Sequence, residues 1–119
     1  MKTNISQGKM GEKLAAEFLE KQGMKIIEKN WRFSRIGEVD IIAQDKDILI
    51  FVEVKTRTSI AFGHPLEAIR PNKVNTMYKL AEIYINQKQL NAYKGFRVDV
   101  IGILTGNMPE ITHIKDVSY

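Results

Sequence analysis

Cysteine is absent from the 119-residue chain, which excludes disulfides and thiolate chemistry and fits a reducing compartment. Its absence also removes the commonest zinc cages, and His64 and His113, the two histidines, are too far apart in sequence to replace them. No run is long and apolar enough to span a bilayer. The N-terminal segment has no apolar signal core. A cytoplasmic protein without membrane association is therefore expected. There is no repeat, low-complexity tract or linker, and the prolines stand scattered at Pro65, Pro71 and Pro109. The expectation is one domain over residues 1–119.

What is present suits a soluble fold. Hydrophobic residues make up 44% and charged residues 27%, and a chain of this length can bury a core without covalent staples. Lys plus Arg number 18 against 14 Asp plus Glu, a formal net charge of +4. That leans mildly toward polyanions, or is an ordinary solvated surface.

Apolar periodicity predicts the elements. From Ser6 to Gln22 the residues Met10, Leu14 and Phe18, widened by Ala15 and Leu19, describe an amphipathic helix, and Gly23 stops it. A β-like patch at Lys25-Ile26-Ile27 opens the segment to Phe33, and Ser34 to Gly37 turn. Glu38–Gln44 reads as a strand, Asp45-Lys46-Asp47 as a turn and Ile48–Arg57 as a second strand. After a loop from Thr58 to Pro65, Leu66–Ile69 forms a helical turn. Pro71 opens a helix to about Gln89, with Val74, Met77, Tyr78, Ala81, Tyr84 and Ile85 on its apolar face. Phe96–Leu104 and Glu110–Lys115 are further strands, joined by a turn at Thr105-Gly106-Asn107. The fold class is α/β, a mixed β-sheet flanked by helices.

The strand Ile48–Arg57 carries the chemistry. Its even-numbered face is Ile48, Ile50, Val52, Val54 and Thr56. Its odd face begins with Leu49 and Phe51 and then changes to Glu53, Lys55 and Arg57. A strand apolar on both faces at its start is an interior strand. Charges on its second half would cost several kcal/mol if buried without partners, so a polar cleft is expected there. On the preceding strand Val39, Ile41 and Ala43 are assigned to one face and Glu38, Asp40 and Ile42 to the other. If a hairpin sets Asp40 opposite Glu53, or two residues off, the carboxylates share a face. A one-residue slip separates them. Directly opposite, their Cβ atoms would be about 5 Å apart, and a hard divalent cation, Mg²⁺ or Mn²⁺, would relieve their repulsion. Lys55, ~7 Å beyond Glu53 on the same face, could orient a water and stabilise charge on a phosphoryl oxygen. The plainer alternative is an exposed Glu–Lys pair on an edge strand.

Gly37-Glu38-Val39-Asp40-Ile41-Ile42-Ala43 followed by Phe51-Val52-Glu53-Val54-Lys55-Thr56-Arg57 resembles the core of the PD-(D/E)xK nucleases. The chain as a whole resembles the small bacterial YraN-like family. The likeness takes in Gly8, Gly11-Glu12, Ala15-Ala16, Asn30-Trp31-Arg32, Phe62 to Ala68, Lys73 and Arg97-Val98-Asp99-Val100. The resemblance implies a restriction-endonuclease-like fold. It also implies Asp40 and Glu53 as metal-binding carboxylates, the Val54 carbonyl as a third ligand and Lys55 as the catalytic lysine. Glu12 matches a first-helix acid that helps shape the metal site in related archaeal Holliday-junction resolvases. Val39 stands where the strict motif has proline. The implied activity is metal-dependent phosphodiester hydrolysis in nucleic acid, as an endonuclease on DNA, branched or structured DNA included, with a homodimer as one arrangement. The alternatives are a nucleic-acid-binding module without turnover and a partner-binding subunit of a DNA-processing complex.

Other residues carry two readings each. Arg57 could contact phosphate or end the strand in solvent. His64 could approach a substrate phosphate or pack its loop, and Glu67 caps or packs nearby. Lys73 opposes the dipole at a helix start, so an anion beside it is expected. Glu38 is an acid near the metal site or a surface residue. Asp99 pairs with Arg97 or another base. Trp31 and Arg32 could stack on a base, against a place in the core for Trp31.

Overall fold

The computed structural model describes residues 6–61 and 63–118. Residues 1–5, on which part of the signal-segment reading rests, and Phe62 of the Thr58–Pro65 loop lie outside the described residues. The chain runs α1 (Gln7–Lys21), β1 (Lys25–Phe33), β2 (Gly37–Asp45), β3 (Ile48–Arg57), a 3₁₀ turn (Pro65–Ala68), α2 (Pro71–Lys88), β4 (Gly95–Leu104) and β5 (Glu110–Ile114). One five-stranded sheet has the order β1-β2-β3-β4-β5. Only β3 and β4 are parallel, paired from Ile48↔Gly95 to Arg57↔Leu104, with α2 in the crossover between them. The result is the expected α/β architecture, a mixed sheet with a helix on each face.

The interior strand reading of β3 holds. Ile50, Val52 and Val54 pack with Ala15, Ala16 and Leu19 of α1, while Leu49 and Phe51 pack with Val74, Met77, Leu80, Ala81 and Tyr84 of α2. Phe51 is fully buried, a contribution of roughly 1.5–3 kcal/mol. Trp31 takes a core place, edge-on to Tyr84 at 5.0 Å between ring centroids. Among the described residues no helix is long and apolar enough to cross a membrane.

Three details differ from the sequence reading. The buried line of α1 is Gly11, Ala15, Ala16 and Leu19, and Met10 is exposed. The helix lies so close to β3 that a Cβ on Gly11 would overlap Thr56 Oγ1, so small residues form the seam and large ones flank it. In α2 the core also takes Leu80, whereas Tyr78 and Ile85 are only partly buried. In β2, Val39 packs with Ile42 in the α2-side core while Ile41 and Ala43 face α1. Val39 and Ile41 would share a face in a regular strand, so the alternation breaks at Asp40. Opposite it on β1, between Lys29↔Ile41 and Trp31↔Val39, stands Asn30 with φ of 54°. Asn tolerates that left-handed conformation better than most residues.

Candidate metal and phosphodiester site

The break in alternation places the acids. Pairing between β2 and β3 runs from Asp45↔Ile48 to Ile41↔Val52 and goes no further. Of the registers left open by the sequence, this is the one in which Asp40 and Glu53 come next along their strands. The Asp40 side chain turns inward, and its Oδ2 accepts the Val54 N–H at 2.8 Å. The carboxylate thus takes over where the backbone ladder stops, and β2 is free to diverge from β3. The charged half of β3 expected to face a polar region lies at this end of the pairing.

Two more acids close on Asp40 from the other side. Glu12 comes from α1, held near by the Gly11–Thr56 seam, and Glu38 from the start of β2. One carboxylate oxygen from each of Glu12, Glu38 and Asp40 lies within 4.8 Å of the other two. Asn30 ties them together, its Nδ2 donating to Glu12 Oε1 at 2.9 Å and to Glu38 Oε1 at 3.1 Å. Burial and the negative charge of Glu53 push the Asp40 carboxyl up to about 7, against the Val54 N–H and the Lys73 charge, which pull it down. Glu12 is raised as well, first by burial and then by Asp40 and Glu38, with the Asn30 hydrogen bond opposing.

Glu53 is nearly buried and faces cations. Its Oε2 stands 3.6 Å from Lys55 Nζ and its Oε1 3.8 Å from Lys73 Nζ. Lys73 also donates to the Glu38 carbonyl oxygen at 3.3 Å. The anion expected beside Lys73 is therefore Glu53, together with that carbonyl. Arg57 folds back to donate to the Thr56 carbonyl oxygen at 3.0 Å, and Arg32 reaches Glu38 at 3.9 Å.

The structure gathers Glu12, Asp40, Glu53, Lys55 and Lys73 at this end of the sheet. Val54 meets Asp40 through its N–H. His64 caps the 3₁₀ turn: its Nδ1 accepts from the Leu66 N–H at 3.2 Å, and Glu67 Oε2 accepts from the His64 N–H at 3.0 Å. Two residues were underweighted by sequence reasoning. Asn30 had no role assigned, and its only local signal is a taste for left-handed backbone inside a strand. Glu38 was divided between surface and site, and no pattern in one strand could show that a helix would bring Glu12 beside it.

As a donor set the group is all oxygen, which suits Mg²⁺, Mn²⁺ or Ca²⁺ and not a soft metal. Three acids converge with one neutral amide between two of them, and no cation forms an ion pair with Glu12 or Asp40 among the described residues. The residues therefore fit a divalent cation.

The model of the uncharacterised protein family UPF0102 matches residues 11–103. A UPF0102 protein of Paenarthrobacter aurescens (strain TC1) is 43% identical over 112 residues, covering 92% of this chain and 91% of that one. One from Dictyoglomus turgidum (strain DSM 6724 / Z-1310) is 45% identical over 108 residues, with 91% and 90% covered. Among solved structures, Pyrococcus furiosus SfsA in complex with Ca²⁺ aligns with a TM-score of 0.36 and 15% identity. That alignment covers 93% of this chain and 61% of the SfsA chain.

Proposed function

The chain belongs to the uncharacterised protein family UPF0102, and we propose that it is a metal-dependent nuclease with a restriction-endonuclease-like fold, an endonuclease acting on DNA. One observation carries the reading: Asp40 sits where two strands part, with Glu12 and Glu38 on one side and Glu53 with Lys55 on the other. Glu12, Glu38 and Asp40 would hold Mg²⁺ or Mn²⁺. When bound, the cation would lower the pKa of a water and polarise a phosphoryl oxygen. The protein groups do the rest. Asp40 is locked by the Val54 N–H, so its free oxygen is aimed without rotamer loss. Lys55, about one-third exposed, can reach a phosphate from its place beside Glu53 and steady the charge that develops there. Lys73 holds Glu53 in place from the opposite helix.

The test is cleavage of single-stranded, duplex and branched DNA with Mg²⁺ or Mn²⁺, with metal affinity by calorimetry. Lys55→Ala is expected to lower cleavage at least about 100-fold while metal binding stays. Glu12→Gln and Asp40→Asn are expected to weaken metal binding itself. Cleavage that persists with metal in both Lys55→Ala and Asp40→Asn proteins would overturn the site assignment. If instead Glu53→Gln weakens metal binding more than Glu12→Gln, the cation sits between Asp40 and Glu53 as the strand register first suggested.

A second reading, nucleic-acid binding without turnover, is supported by the two lysines on Glu53, which balance that charge with no cation. It predicts salt-sensitive binding and no cleavage with any metal.

A further inference from the structure

Next to the acids, and sharing Glu12 and Asn30 with them, lies a small pocket of about 170 Å³ completed by Lys9, Lys13 and Lys29. Lys9 and Lys13 are one turn apart on α1, and Lys29 rises from β1 on the same side of the sheet, where its partner Ile41 also points. Among the described residues none of these three lysines forms a salt bridge, which is equally true of Lys21, Lys25, Lys46, Lys79, Lys88 and Lys115; what sets the three apart is that they line one pocket together. The first turn of α1 carries no acid, so the positive end of the helix dipole adds to the three ammonium groups. Asn30 Nδ2 spends its donors on Glu12 and Glu38, which leaves the lysines as the groups available to an entering anion. A cluster of acids repels a polyanion unless positive charge stands beside it, and the three unpaired lysines are that charge.

We propose that Lys9, Lys13 and Lys29 seat a backbone phosphate of the nucleic acid, adjacent to the phosphodiester that reaches Asp40. The proposal rests on the nuclease reading above and adds where the neighbouring phosphate lies: between α1 and β1, on the α1 face of the sheet. It makes the lysines binding residues, with no part in bond cleavage.

The experiment is fluorescence anisotropy of a labelled single-stranded oligodeoxynucleotide, titrated with full-length protein in EDTA over a range of salt. One phosphate neutralised on a single strand corresponds to a slope of log K against log salt of about 0.7. Replacing Lys9, Lys13 and Lys29 together with glutamine is expected to reduce the slope by about 0.7 and the low-salt affinity at least tenfold. Each single variant should lower the low-salt affinity by less than the triple variant does, and the triple arginine variant should keep the wild-type slope. A charge-matched control removes the exposed Lys21, Lys46 and Lys88 at the other end of the sheet, and its slope should stay that of the wild type. All six side chains are exposed, so the variants should keep the wild-type fold, which circular dichroism checks. If the wild type binds the oligonucleotide but the glutamine variant keeps its slope, or the control loses as much, the phosphate seat is wrong and the nuclease reading stands. If the wild type has no affinity even at low salt, the nuclease reading falls and the seat with it.

Discussion

Two carboxylates enter this sheet from neighbouring parts of the fold and meet opposite fates. Asp99, on β4, is fully buried. Its oxygens accept from Arg97 Nε at 3.0 Å and the Asp116 N–H at 3.0 Å, and lie 2.7 Å from His113 Nε2. Burial alone would raise its carboxyl, but His113, the Asp116 N–H and Arg97 outweigh it and hold the group below the usual aspartate range. Asp40 has one N–H for a partner and three acids for neighbours. Its carboxyl is pushed up to about 7. A buried charge that the fold has fully satisfied is part of the structure. Burial raises both carboxyls, and what separates them is the number of partners: hydrogen bonds and cations outweigh burial at Asp99, while at Asp40 the Glu53 charge adds to it.

The largest effect should come from breaking the satisfied member. Asp99→Ala leaves Arg97 leaning on Asp45 at 3.8 Å, with its Nη2 already buried and unpartnered. It also removes the acceptor for the Asp116 N–H, beside the point where Val117 N–H bonds the Val98 carbonyl. A loss of about 3–5 kcal/mol is expected, read as a fall in the urea midpoint. An unchanged midpoint would mean that the cluster is decoration and the comparison is void.

A smaller change tests how Asp40 acquires its neighbours. Gly11→Ala puts a Cβ into Thr56 Oγ1, so α1 must move off β3, taking Glu12 away from Asp40. Overpacking of this kind costs about 1–3 kcal/mol. In a Thr56→Ala background part of that cost should vanish. A double-mutant cycle by urea denaturation measures the coupling, and additive losses would show that the seam does not set the position of Glu12.

How much of this the sequence carried follows from which interactions are local. The strand Ile48–Arg57 was legible because its apolar run and its switch to Glu53 and Lys55 are written in consecutive residues. The Asp45–Asp47 turn left the register open by a residue either way, and only the pairing Asp45↔Ile48 shows that it continues toward Asp40 and Glu53. Glu12 was legible only through resemblance, since nothing in a helix says which strand it will lie on. The faces of Val39 and Ile41 were misassigned because strict alternation was assumed through Asp40. The break depends on Asn30, ten residues away on another strand, taking a left-handed conformation. Asp99 was matched to Arg97 at two-residue spacing, but its bond to His113 crosses from β4 to β5 and has no sequence signature. The same holds for Lys73, whose anion was foreseen from the helix dipole and identified only when α2 crossed the sheet.

The smallest expected effect bears most directly on the comparison. In metal-free protein the Asp40 carboxyl, ordinarily near 3.8, is raised to about 7. Between those values the folded state binds a proton that the unfolded state has released. The contribution of Asp40 to stability is therefore fully present below about pH 4 and is lost as pH rises through 7. Asp99 has the opposite sign: its contribution is present above the ordinary aspartate value and is lost as acid protonates the folded group. Asp40→Asn keeps an oxygen for the Val54 N–H and removes the titration. Urea denaturation in EDTA from pH 4 to 8 should show the wild type losing stability relative to Asp40→Asn, which should be the more stable protein at pH 8 by about 1 kcal/mol or more. Parallel curves for the two proteins would mean that Asp40 is as well satisfied as Asp99, and the reason for placing a cation beside it would be gone.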